Sequence, residues 1–201
     1  TIVYDLWATS GRGDHRDATK RLVVGVGSVT LNYGGTNPAA AVKSYSAKIL
    51  AAPLADGSSE TFISLRDGML YTINQGAEYA AFWDFGYYYT GTDGASLVST
   101  STYETAFPFV DVDGIAGTTE LNNAYFAKST TLTATEFAAI SVSGDLDSIT
   151  TPASQKVNNL VAGDIIEFVD NYGKKGVIKV VEVVGTFNQG DYIKIDIKVQ
   201  P

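Results

Sequence analysis

Alternation of apolar and polar positions dominates the chain, and it predicts strands. In YIKIDIKVQ, Ile193, Ile195, Ile197 and Val199 share one face, while Lys194, Asp196, Lys198 and Gln200 share the other. That period of two marks a half-buried strand, read here as a solvated sheet edge. DIIEFV and GVIKVVEVVG precede it, the first two joined by the turn DNYGKKG and the last two by TFNQGD. Together the three predict a C-terminal antiparallel meander. Further upstream, RLVVGVGSVTLNY (Arg21 to Tyr33) reads as a strand closed by GGTNP, following the polar loop ATSGRGDHRDATK. The second half of AAAVKSYSAKILAAP reads as another strand.

Helical signals are short. Thr72 with Gln75 three residues on makes a capping box that opens a helix from about Ile73 to Ala81, weakened by Gly76. Thr133 with Glu136 repeats the device for a helix of about two turns. Neither repeat nor low-complexity linker interrupts the pattern. The expected architecture is mainly β: one compact domain over residues 1–201, a sandwich or open barrel with two short helices.

The stretch WDFGYYYTGTDGASLVS (Trp83 to Ser99) poses a choice between core and ligand platform. Trp83, Phe85, Tyr87 and Tyr89 fall on one face, with Asp84, Gly86 and Tyr88 on the other. Aromatic strands are more often core than stacking surface, so the four-ring face is assigned inward. Tyr88, Tyr89 near the strand end, and Asp93 in the following loop are then the residues expected to touch a partner.

Composition narrows the function more than it names it. The chain has 201 residues, enough for a sizeable core, and only 18% are charged. Its formal net charge of −8 disfavours nucleic acid and anionic membranes as partners. Absence of cysteine removes disulfides, thiolate metal sites and a cysteine nucleophile. No apolar run is long enough to span a membrane. The chain opens at Thr1 and its single methionine is Met69, so a processed or truncated start is expected.

Candidate chemistry is sparse. Arg12-Gly13-Asp14 spells an adhesive tripeptide, but three-residue strings recur by chance and a polar loop explains it. His15 is the sole histidine, which leaves no material for a serine triad or a zinc site. In DVDGIAGTTE, Asp111, Asp113 and Glu120 could surround calcium, although the glycine comes too early for an EF-hand and a carboxylate is missing. An acidic turn without metal is the simpler reading, and no cofactor is expected. Asp145 and Asp147 form a weaker grouping. VVGVG is followed by neither a lysine-serine pair nor a helix, so it reads as strand rather than phosphate loop. Among 22 acidic residues no pair stands out for glycoside hydrolysis.

Longer stretches carry a resemblance. FISLRDGMLYTINQGAEYAAFWDFGYYYTGTDGASLVST, LTATEFAAI, VNNLVAGDIIEFVDNYGKKGVIKVVEV and IKIDIKVQ follow in a characteristic order. That order resembles a β-rich module of exported and cell-surface proteins of Bacteroidota, often lipoproteins. Asp84, Phe85, Tyr87 to Tyr89, Leu97, Phe137, Gly163, Asp164, Phe168, Gly173, Lys174, Gly176, Lys179 and Val199 carry the match. It covers about residues 58–200; residues 1–57 are less typical, and PFVDVDGIAGTTE departs from the module's Pro and Trp-containing segment. The resemblance implies an extracellular or surface-exposed, outer-membrane-associated binding or assembly module without established enzymatic chemistry.

The leading expectation is therefore a non-catalytic accessory subunit that binds proteins of an outer-membrane assembly or an extracellular glycan. One alternative is a structural protein of a phage or surface fibre, adding neighbours along an exposed edge at Ile193 to Val199. The other is a glycan hydrolase, which needs two carboxyls facing across a cleft.

Overall fold

A computed structural model of the protein describes residues 2–9, 21–31, 37–116, 121–186 and 190–201. Its contacts divide the chain into two units, Thr1–Asn37 and Pro38–Pro201. In the first unit, β1 (Ile2–Thr9) pairs antiparallel with β2 (Arg21–Leu31), with Ile2 opposite Leu31 and Thr9 opposite Arg21. β2 occupies the described part of the strand read from RLVVGVGSVTLNY, whereas β1 is a strand that the sequence pattern leaves unassigned. Arg12-Gly13-Asp14 and His15 lie outside the described residues.

The second unit is a sandwich-like arrangement of two five-stranded antiparallel sheets, neither closed into a barrel. One sheet runs in the order β3 (Lys43–Ala51), β12 (Tyr192–Val199), β11 (Lys175–Val184), β10 (Ile165–Val169), β8 (Tyr125–Lys128). The other runs β5 (Leu70–Thr72), β4 (Glu60–Ile63), β6 (Phe85–Thr90), β7 (Gly94–Ser99), β9 (Lys156–Val157). The C-terminal meander forms as expected, with Phe168 opposite Gly176 and Ile178 opposite Ile197. Its last strand is not an edge, however. β3 pairs along the far side of β12, Leu50 opposite Ile193, so the strand offered for fibre assembly lies inside the sheet. A strand solvated on one face has the same periodicity at an edge as in the interior, and only a partner distant in sequence distinguishes them.

Strand alternation builds three apolar layers. Between the sheets lie Phe85, Tyr87, Leu97, Phe126, Phe168 and the Ile193, Ile195, Ile197 and Val199 face of β12. On the outer face of the second sheet, Phe62, Trp83, Tyr88, Tyr103 and Phe107 form another cluster. Behind the first sheet, Phe137 and Ile140 close over Ile165, Val169 and Val177. The aromatic strand therefore has no solvent face: Phe85 and Tyr87 enter the central core while Tyr88 enters the outer cluster. Trp83 departs from the expected four-ring face. It follows the turn after α1, its backbone N–H donating to the Ala80 carbonyl, and its ring stacks on Phe62 at 4.8 Å. Gly86 permits this layer, because a Cβ there would lie 2.7 Å from the Phe62 ring and 2.8 Å from that of Tyr103.

Both capping boxes are present. The Thr72 N–H donates to Gln75 Oε1 at 2.7 Å, but Gly76, with φ of +79°, breaks the expected helix into a 3-10 turn (Ile73–Gln75) and α1 (Ala77–Ala80). Glycine reaches this left-handed region without the Cβ penalty. At Thr133 the backbone N–H donates to Glu136 Oε2 at 2.6 Å, and the Glu136 N–H donates back to Thr133 Oγ1 at 3.3 Å. Two other short helices, α2 (Tyr103–Ala106) and α3 (Val112–Ala116), precede α4 (Ala134–Ala139), the helix opened by that second box.

Candidate functional site

The residues expected to face a partner are largely engaged internally. Tyr88 is 0% exposed, with its ring edge-on to Tyr103 at 6.2 Å. Its hydroxyl donates to Asp93 Oδ2 at 2.7 Å, and Lys156 Nζ meets the same oxygen at 3.1 Å. The Tyr88 hydrogen bond, with smaller help from Lys156, holds the Asp93 carboxyl below its ordinary range, while burial pushes the Tyr88 hydroxyl up. This is a tie between the β6–β7 turn and β9. Tyr89 is half-buried and borders an open hollow of about 400 Å³ with Asn159 and Val161.

The acidic turn is a helix start. Asp111 Oδ1 accepts from the Gly114 N–H at 2.7 Å, satisfying a free donor in the first turn of α3. The Asp113 N–H donates to Glu104 Oε2 at 2.9 Å. Burial, then Glu104 and Asp111, pushes the Asp113 carboxyl up. Glu120 lies outside the described residues. Among the described residues, no three acids or histidines come close enough to hold a metal ion.

A different place brings chemistry together. Five segments border a pocket of about 380 Å³: the start of β3, the β4–β5 turn, the run from α1 into β6, the β10–β11 turn and the end of β12. Local rules shape each wall. On the β10–β11 turn, Asp170 Oδ1 accepts the N–H groups of Tyr172 and Lys174, both at 2.8 Å. Gly173 at φ of +77° completes the reversal, which leaves Tyr172 65% exposed. On the opposite side Asp84 Oδ2 accepts the Leu65 N–H at 2.6 Å, fastening the entrance of β6 to the β4–β5 turn.

Asp84 and Asp170 are each only 6% exposed, and both border the pocket. Burial is the main force on Asp84, pushing its carboxyl from the ordinary 3.8 to about 7; Asp170 and Asp67 add to this, while the Leu65 hydrogen bond and Lys43 oppose it. Asp170 is also raised by burial, against the pull of its two turn N–H groups. At neutral pH Asp84 can therefore either donate or accept a hydrogen bond.

Basic side chains complete the rim. Lys43 Nζ donates to the Arg66 carbonyl at 3.2 Å, Lys174 Nζ donates to the Pro201 carbonyl, and the Arg66 guanidinium lies 5.9 Å from the centre of the Phe82 ring. Two ion pairs form among the described residues, Lys128–Asp164 and Lys156–Asp93, and neither involves these three cations. The sequence reading missed this site. Asp84 was visible as an acid between aromatics and Asp170 as a turn residue, but nothing in their spacing says that they meet.

No protein-family model matches the chain, and no curated protein matches it. Among solved structures it is similar to a DUF4466 family protein from Parabacteroides merdae, with a TM-score of 0.58 and 10% sequence identity. The match covers 87% of this chain and 57% of that one, so the chain spans little more than half the neighbour's length. That organism belongs to the Bacteroidota, the group whose surface modules the motif order resembles. At this identity the likeness is one of fold.

Proposed function

We propose that this chain is a non-catalytic binding module of an exported, surface-associated bacterial protein, and that the pocket between Asp84 and the β10–β11 turn takes a glycan. The carrying observation is the joining, in one pocket, of the aromatic side chains Phe82 and Tyr172 with the buried carboxyls of Asp84 and Asp170. A sugar ring has an apolar C–H face that stacks on an aromatic and a belt of hydroxyls that require paired donors and acceptors. The pocket's size lies within the range common for small-molecule sites. Its borders are turns held by a rigid sandwich, as binding sites often are. The resemblance to exported surface modules supplies the setting.

Titration of the wild type and of Tyr172→Ala against a panel of extracellular polysaccharides tests the proposal. Tyr172 is mostly solvent-exposed, so its loss should leave the fold intact. Binding weakened about tenfold, equivalent to about 1.4 kcal/mol of lost stacking, is the expected result. Failure of every polysaccharide to bind, or unchanged affinity in the variant, would remove this reading.

Hydrolysis is a second reading, favoured by one observation: two buried carboxyls border the same pocket and one of them titrates near neutrality. Release of new reducing ends by the wild type, lost in Asp84→Asn, would establish it in place of simple binding. A polysaccharide bound without such release would retire it.

A further inference from the structure

We infer that the sugar received by this pocket is an acidic one, bearing a carboxylate or sulfate that Arg66, Lys43 and Lys174 hold at the rim. The inference rests on the glycan reading and adds the ligand's charge to it. The chain carries 14 lysines and arginines against 22 acids, yet three of those cations converge on one pocket from three separate segments: β3, the β4–β5 turn and the β10–β11 turn. Among the described residues, none of the three forms an ion pair with a carboxylate side chain. Lys43 Nζ donates to a backbone carbonyl, Lys174 Nζ donates to a backbone oxygen of Pro201, and the guanidinium rests near the Phe82 ring. A guanidinium supported on one face by an aromatic keeps its N–H edge for a planar oxyanion, the geometry in which arginine binds carboxylates best.

Two buried acids share the pocket with this rim. Both are only 6% exposed, and burial is the main force raising their pKa values, against the pull of Lys43 on both and of Lys174 on Asp170. An acidic protein that gathers three cations around an aromatic-walled pocket is complementary to a sugar with an anionic substituent. A neutral sugar would leave those charges without a counterpart.

The test compares matched ligands on the intact chain: polygalacturonate, alginate and hyaluronate, each beside its carboxyl-reduced neutral form, with a sulfated galactan beside its desulfated form. The expected result is that at least one acidic polymer binds tenfold or more tightly than its neutral partner, with affinity falling as salt rises. Which pair shows the preference identifies carboxylate or sulfate as the source of the charge. In Arg66→Gln/Lys174→Gln, folded by circular dichroism, affinity for the acidic form should drop tenfold or more while any residual affinity for the neutral form is unchanged. Equal or tighter binding of neutral forms, still dependent on Tyr172, would overturn the acidic-sugar inference and leave the glycan reading intact. Binding of neither form would overturn both.

Discussion

Replacing Asp84 by asparagine should stabilise the protein at alkaline pH. Asp84 is nine-tenths buried, and its carboxyl titrates at about 7 in the fold against 3.8 ordinarily. In the unfolded chain the group ionises near pH 4, while in the fold it keeps its proton until about 7. Between these values folding takes up a proton, so this group's contribution to stability falls as pH rises from about 4 to 7 and is level above that. With each pKa unit worth about 1.4 kcal/mol, the full loss is about 4 kcal/mol. Asparagine bears no charge at any pH, and its amide oxygen can still accept the Leu65 N–H. Urea unfolding followed by tryptophan fluorescence at pH 4, 6 and 8 should show the variant nearly equal to wild type at pH 4. At pH 8 it should be more stable by about 2–4 kcal/mol. Asp170 also weakens the fold with rising pH in both proteins, so the difference reports Asp84 together with its repulsion by Asp170. A variant no more stable than wild type at pH 8 would refute the reasoning, since it would mean that Lys43 and the Leu65 N–H stabilise an ionised carboxylate.

Other substitutions probe the layers around the pocket. Gly86→Ala places a methyl group 2.7 Å from the buried Phe62 ring and should cost about 1–3 kcal/mol by overpacking; an unchanged melting temperature would show that the outer aromatic cluster has slack. Tyr88→Phe removes the hydroxyl that meets Asp93 at 2.7 Å, for a loss of about 1 kcal/mol at neutral pH. Because that bond lowers the Asp93 pKa, the deficit should shrink as pH falls below about 4, and a pH-independent deficit would argue for packing instead. Thr133→Ala deletes half of the capping box at α4 and should cost about 1 kcal/mol in urea unfolding, whereas no change would mean that Phe137 and Ile140 anchor the helix unaided.

Residues with local logic were legible from sequence. The β12 face of Ile193, Ile195, Ile197 and Val199 is buried as its alternation requires, and both capping boxes close at Thr72 and Thr133. The meander follows from its turns. Trp83 leaves the face that alternation assigns it because β6 begins only at Phe85, and the two residues before it belong to the exit from α1, where side chains do not alternate. Alternation places Tyr88 on the face away from the central core, and the rings of Phe62, Tyr103 and Phe107 that bury that face come from distant segments.

By itself, then, the sequence determined which side chains pair with water and which do not along each strand, where helices begin, and that the chain is mainly β. Those properties depend on neighbours two to four residues apart. Tertiary structure alone decided that β3 covers the outer side of β12, and that Asp84, Asp170 and three cations border one pocket. Such meetings depend on how distant strands close into sheets, and alternation, being the same for every candidate neighbour, carries no record of which neighbour is chosen.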